Sequence, residues 1–295
     1  MALQVSDRRV RHKRVNVAGV DTFYREAGPA GAPAVLLPHG YPCSSYEFRN
    51  LMPALADQWR LLAPDFPGSG YTREPPEFQH DFDGYSDFLE KFTDAVRAPR
   101  FALYLHDFGS WIGLRLAMRR PDKIAALIIQ NGDIYEDVLG PKYAGLREIW
   151  NMEREDGLAK LREFVSPDHF RDEFLNDVRS DLAERIPPDM WELHWPLMTE
   201  QRRENAVRII YDLKDNLEWF PRYQAYLREH RPPTLILWGP QDGYMPEESA
   251  KAYLRDLPDA ELHLLDGGHW LLETCLQEMA DLMENFLQRV HSQRL

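Results

Sequence analysis

Leu105-His106-Asp107-Phe108-Gly109-Ser110-Trp111-Ile112-Gly113 decides the reading of this chain. The stretch follows the apolar run Phe101-Ala102-Leu103-Tyr104-Leu105 and opens a helical pattern that Pro121 stops. A short apolar run bounded by a turn reads as a buried strand. The order predicted is therefore strand, sharp turn, helix, with Asp107 at the apex. The small residues Gly109 and Gly113 let that helix pack closely on a sheet. An apex residue stands above the strand end, beside the helix N-terminus and its backbone N–H groups. A hydroxyl there would suit acyl transfer, whereas a carboxylate can attack an sp³ carbon and form an alkyl-enzyme ester. Asp is also a good helix cap. Taken alone, the segment leaves cap and nucleophile open.

Working outward, the same rhythm repeats on both sides. Val15 and Val17, then Thr22 and Tyr24, alternate around Ala18-Gly19-Val20-Asp21 and predict a β-hairpin. Ala34-Val35-Leu36-Leu37 runs into Pro38-His39-Gly40-Tyr41-Pro42, and Trp59 to Pro64 runs into Asp65-Phe66-Pro67-Gly68-Ser69-Gly70. Tyr85, Phe88, Leu89, Phe92 and Val96 mark one face of a helix, and Ile124 to Gln130 reads as a strand. Strands return at Thr234 to Gly239 and Glu261 to Leu265, and a last helix carries Met279, Leu282, Met283, Phe286, Leu287 and Val290. Strands alternating with helices imply an α/β fold with a doubly wound, mostly parallel sheet. Between them, residues 134–230 hold no convincing buried strand but many aromatic and charged residues at helical spacing. The expectation is a core domain from 1–133 and 231–295, interrupted by a helical lid over 134–230.

Composition narrows the class. The 295 residues carry 48 acidic against 35 basic side chains, a net charge of −13. Such a surface repels phosphate backbones, so nucleic acid is not an expected partner. The basic run Arg8 to Arg14 reads as a solvated strand edge. Cys43 and Cys275 lack the spacing of a zinc site or a disulfide framework. No apolar run reaches membrane-spanning length, and no signal-peptide core is evident at the start. A soluble, cytoplasmic protein is expected. No phosphate-cradling glycine loop, HExxH motif or cluster of His and Cys ligands implies a cofactor or metal.

If Asp107 is a nucleophile, a base should follow late in the chain, on a loop after the last strand. Gly267-Gly268-His269-Trp270 stands there. An orienting carboxylate should follow the preceding strand, where Trp238-Gly239-Pro240-Gln241-Asp242 supplies Asp242. Asp133, in Gln130-Asn131-Gly132-Asp133, is the second candidate, though it could equally cap the first lid helix.

These residues resemble the α/β-hydrolase superfamily from about residue 15 to residue 290. The closest resemblance is to its Asp-nucleophile branch of epoxide hydrolases and haloalkane dehalogenases. It rests on His39-Gly40-Tyr41-Pro42, Asp65-Phe66-Pro67-Gly68-Ser69-Gly70, His106-Asp107-Phe108-Gly109, Trp238 to Asp242 and Gly268-His269, in that order. The resemblance implies Asp107 as nucleophile, His269 as the base that activates water, and Asp242 as its orienter. The backbone N–H groups of Tyr41 and Phe108 would form the oxyanion hole. One departure is Leu105, where the hydroxyl-type elbow has glycine.

The branch divides by leaving group. Haloalkane dehalogenases usually carry Trp after the nucleophile and Asn after the His-Gly, and here those positions hold Phe108 and Tyr41. Fluoroacetate-type dehalogenases usually carry Arg after the nucleophile, which is also absent. Phe has no hydrogen to donate, so the likeness to epoxide hydrolases implies a vicinal diol product. Those enzymes use two lid tyrosines as acids. By position Tyr211 matches the late one and Tyr143 is chosen as the early one, with His194-Trp195 as another donor pair. The alternatives are a dehalogenase with the same Asp107 and His269, and a ligand-binding scaffold with little turnover. The expected partner is a small, mainly apolar organic molecule, with no membrane involved, and a homodimer is compatible with the sequence.

Overall fold

The computed structural model describes residues 8–292, so the two ends of the expected core domain, 1–7 and 293–295, lie outside the described residues. Eight strands form one sheet: β1 (Arg11–Val17), β2 (Val20–Ala27), β3 (Ala34–Leu36), β4 (Arg60–Pro64), β5 (Phe101–His106), β6 (Ile124–Gln130), β7 (Thr234–Trp238) and β8 (Glu261–Leu264). Their spatial order is β1-β2-β4-β3-β5-β6-β7-β8. The pairs β1–β2 and β2–β4 are antiparallel, and every other pair is parallel. β1 and β2 are joined through Ala18 and Gly19, both at positive φ, the geometry that closes a two-residue hairpin. Residues 11–14 of the basic stretch lie on β1, an edge strand whose side chains are mostly exposed, and Arg8 and Arg9 precede it.

The central strands are apolar on both faces because helices cover both. β5 is buried at every position. One face packs under the helices Phe82–Ala95 and Asp107–Arg119 through Phe88, Phe92, Leu103, Leu105 and Leu116. The other packs on the helices Leu51–Leu55 and Leu276–Ser292 through Val35, Tyr104, Ile128, Met279, Met283 and Phe286. Parallel strands aim their C-terminal ends the same way, so the loops after β3, β5, β6, β7 and β8 gather at one edge of the sheet. Ligands bind at that edge in open α/β sheets.

Between β6 and β7 the chain forms helices, among them Tyr143–Trp150, Arg154–Phe164, Pro167–Leu175, Glu200–Tyr211 and Phe220–His230, and no strand. Buried Arg115 fastens them to the core. Its guanidinium donates to Tyr223 Oη at 3.0 Å and Asn216 Oδ1 at 3.1 Å, and pairs with Asp83 at 2.6 Å. Arg202 does the same from the helical side, donating to the carbonyls of Gly70 and Thr72. The chain has no described helix long and apolar enough to cross a membrane.

Candidate active site

The turn after β5 places Asp107 in the left-handed region, with φ +48°. L side chains rarely adopt that conformation, and it is a strained position found where a site over-determines it. The close packing around it needs missing side chains. A Cβ on Gly40 would lie 2.6 Å from Asp107 Cβ, and one on Gly113 would lie 2.6 Å from Leu105 Cδ2. Because Gly40 has none, the loop after β3 comes near enough for Tyr41 N–H to donate to Asp107 Oδ1 at 2.6 Å. Phe108, in the first helical turn, carries one of the N–H groups that a helix leaves without an internal acceptor.

The other carboxylate oxygen of Asp107 faces His269. Its Oδ2 lies 3.6 Å from His269 Nε2, while His269 Nδ1 donates to Asp242 Oδ2 at 2.8 Å. Asp242 is buried and held by four donors, accepting from the N–H groups of Tyr244 and Met245 on Oδ1 and from Asn131 Nδ2 and His269 on Oδ2. Burial pushes its carboxyl up, but the His269 charge and these hydrogen bonds prevail and hold it below the usual range. His269 is the converse. Burial pulls it down, yet the Asp242 charge and hydrogen bond, with the charges of Asp107 and Glu173, lift it to about 9. The three residues expected as a triad are brought together, each at the end of a different strand.

Several supporting residues had no signal in the sequence. Asn131, at φ +36°, also exchanges bonds with Gly239, donating to its carbonyl at 3.0 Å and accepting from its N–H at 2.9 Å. It ties the loop after β6 to the Asp242 loop. His106 Nε2 and Gln130 Nε2 both bond the His269 carbonyl, at 3.0 and 2.8 Å, and His106 Nδ1 faces buried Glu47 at 2.7 Å. Glu47 in turn accepts from Gly40 N–H. Asn, Gln and Glu carry these roles through tertiary contact alone, and their sequence neighbours announce none of it.

The side chains of Asp107 and His269 open into a cavity of about 70 Å³, lined mostly by aromatic groups such as Tyr41, Phe108, Trp111 and Phe170. Its polar lining includes Tyr143, Glu173 and Tyr244. Burial pushes the Tyr143 hydroxyl well above the ordinary phenol range, and it reaches Asp133 Oδ1 at 3.5 Å. Tyr211 does not line this cavity, contrary to its expected place. Arg154 and Lys214 lie over its ring, 4.9 and 4.1 Å from the centre, and it packs against Gly157. Its neighbour Ile210 faces the cavity instead. His194 is also elsewhere. Its Nδ1 donates to the Met190 carbonyl at 2.7 Å, so Nε2 accepts from Ser44 Oγ at 2.9 Å, and burial holds it neutral at about 4. Asp133 makes no bond to His269. It is fully buried, its Oδ2 has no partner among the described residues, and burial with the Asp242 and Asp107 charges pushes its carboxyl well up.

The sequence of residues 33–274 matches the model of the α/β hydrolase fold. The chain belongs to the α/β-hydrolase family. An uncharacterized hydrolase of Saccharomyces cerevisiae is 33% identical over 275 residues, covering 92% of this chain and 94% of its own. Among solved structures, an ancestral haloalkane dehalogenase superposes with TM-score 0.78 at 22% identity, covering 96% of this chain and 99% of its own. An epoxide hydrolase from Vigna radiata gives TM-score 0.75 at 19% identity, covering 95% and 98%. At these identities the two structures speak to the α/β-hydrolase fold. The protein is accordingly an α/β hydrolase, and its chemistry has to be argued from the cavity.

Proposed function

We propose that this α/β hydrolase opens small, mainly apolar epoxides to vicinal diols through an ester on Asp107. One observation carries the choice of electrophile. The cavity that holds the nucleophile also holds the O–H groups of Tyr143, Tyr244 and Glu173, with the His169 ring besides. A halide needs N–H or similar donors beside the nucleophile. The Phe108 side chain has none, and the Trp111 indole N–H is already given to the Asp133 carbonyl at 2.8 Å. An opening epoxide develops an alkoxide, a much stronger base, which needs hydrogen-bond and proton donors as the C–O bond breaks.

In this reading Asp107 attacks carbon while Tyr143 binds the ring oxygen. Alkylation removes the charge on Asp107, one of the charges that hold the proton on His269. His269 then releases its proton more readily and can take one from water, with Asp242 fixing the ring. Water adds to the ester carbonyl, and the N–H groups of Tyr41 and Phe108 receive the oxyanion. The helices between β6 and β7 serve as the lid that keeps this cavity apolar.

His269→Gln leaves attack possible and stops hydrolysis of the ester. Intact-protein mass spectrometry of that variant with butene oxide should show an adduct that maps to Asp107. Normal turnover by Asp107→Ala would remove Asp107 as nucleophile. Bromide release from bromobutane with no epoxide consumed would make the enzyme a dehalogenase, and absence of turnover or adduct with both would favour a binding scaffold.

A further inference from the structure

Resting on the Asp107 ester reading above, we propose that Glu173 is the acid that delivers the proton to the opening oxygen. Glu173 lies on the helix Pro167–Leu175, and its side chain lines the cavity that also holds Asp107 and His269. Its backbone is pinned, and one hydroxyl approaches its carboxyl. The Trp270 indole N–H donates to its carbonyl at 2.9 Å, and the Tyr244 hydroxyl reaches Oε1 at 3.5 Å. Trp270 follows His269 directly, so the helix is pinned to the same loop as the base.

The surroundings favour a neutral carboxyl. Burial raises it, and the charges of Asp107 and Asp177 raise it further, while Lys142 and His269 oppose them. Lys142 is partly spent elsewhere, paired with Asp177 at 2.5 Å and lying 4.9 Å from the centre of the Tyr244 ring. Tyr41, Tyr143 and Tyr244, which share the cavity with Glu173, are themselves held protonated by burial, and the His169 ring lines it from the same helix. Proton donation is most effective when the donor's pKa lies near the working pH. Tyr143 is moved far from that range, which leaves it a hydrogen-bond donor to the oxygen. A carboxyl raised toward neutrality is the better proton source.

The step balances. The Asp107 carboxylate forms a C–O bond, the epoxide C–O bond breaks, and its electron pair takes the Glu173 proton, leaving a hydroxyl and a Glu173 carboxylate. His269, having lost its own proton to solvent after alkylation, then takes one proton from the attacking water, returns it to the departing alkoxide oxygen of the ester, and regains a proton from solvent once the Asp107 charge is restored. The water's second proton is left on the Asp107 carboxyl and passes to Glu173, so both acids regain their starting forms.

The test measures single-turnover alkylation in the His269→Gln background, where the base that hydrolyses the ester is gone and the ester accumulates. Adduct formation with butene oxide should fall roughly tenfold per pH unit once Glu173 ionises. Adding Glu173→Gln should slow it by about 10²-fold or more and flatten the pH profile, the usual scale of lost acid catalysis. Glu173→Asp should keep a pH-dependent rate between the two and guards against a folding artefact. Bromobutane is the control, because bromide leaves without a proton and any alkylation by it should be indifferent to Glu173→Gln. Unchanged rate and pH profile in Glu173→Gln would overturn the assignment, as would equal slowing with both probes. If His269→Gln with Glu173 intact gives no Asp107 adduct with either probe, the ester reading fails and the acid assignment falls with it. If it gives one with bromobutane alone, the epoxide reading is what fails.

Discussion

At the scale of single residues the site is an arrangement of charges that constrain one another. His269 is held at about 9, above its ordinary 6.5, by carboxylates that must overcome burial first. A folded-state value above the unfolded one stabilises the protein fully below pH 6.5, and that contribution is lost as pH rises through 9. The midpoint of thermal unfolding should therefore drop between those values, and Asp107→Asn, which deletes one of the raising charges, should shift the drop to lower pH. Scanning calorimetry across that range checks it, and an unshifted drop would mean that Asp107 does not hold the His269 proton. The two acid candidates separate just as plainly. Asp242 bonds His269 and three further donors, whereas Asp133 bonds neither His269 nor, through Oδ2, any described group. Asp242→Asn should cost on the order of 10⁴ in turnover, the scale seen when a triad carboxylate is lost. Asp133→Asn should remain within about tenfold, since it removes no bond to the base. The opposite ranking in steady-state rates would move the orienting role to the loop after β6.

At the scale of elements, the strands and the elbow were legible because their signals are local. A short apolar run before a turn needs no partner to be read, and Asp107, Asp242 and His269 each follow such a run. The facing of helical residues was not legible in the same way. Successive helix positions differ by about 100° around the axis, so the difference between Tyr211 and Ile210 decides which one meets the cavity. Glu200–Tyr211 is set by its packing on Arg154–Phe164, where Gly157 receives the Tyr211 ring. That contact spans more than fifty residues of chain and has no local marker. Glu173 was missed for the same reason, as one carboxylate on an ordinary amphipathic helix. The loop after β3 offers a direct test of close packing. Gly40→Ala would put a methyl carbon 2.6 Å from Asp107 Cβ, so the loop must retreat and take the Tyr41 N–H with it. Overpacking of this kind costs about 1–3 kcal/mol. A displacement near 1 Å at the reacting centre costs on the order of 10² in rate. Turnover should fall far more than stability, and a variant with undiminished turnover would show that the Tyr41 N–H is not needed on Asp107.

At the scale of the whole molecule, the edge of the sheet and the helices above it enclose a second cavity beside the one that holds Asp107. Each measures about 70 Å³, enough for a handful of heavy atoms. Tyr41, Phe108 and Phe170 line both and form the wall between them. Tyr41 stacks on Phe108 with ring centres 5.7 Å apart and meets Phe170 edge-on at 6.0 Å. The second cavity is lined by apolar groups such as Phe66, Leu197, Met198 and Ile209, with His194 held neutral beside them. On the proposed reading, the cavity that holds Asp107 admits only short substrates as long as the wall stands. Phe170 is the member of the wall that belongs neither to the elbow nor to the oxyanion loop, so it can be cut back without touching Asp107 or its donors. Phe170→Ala should join the two spaces and let an alkyl chain run from the nucleophile into the second. Each buried methylene contributes about 0.8 kcal/mol. Four extra methylenes should therefore raise kcat/KM for a long-chain terminal epoxide over butene oxide by on the order of 10². Competition between the two epoxides, followed by product ratio, measures the change without reference to total activity. A ratio unchanged by Phe170→Ala would mean that the second cavity is closed to substrate for a reason other than this aromatic wall.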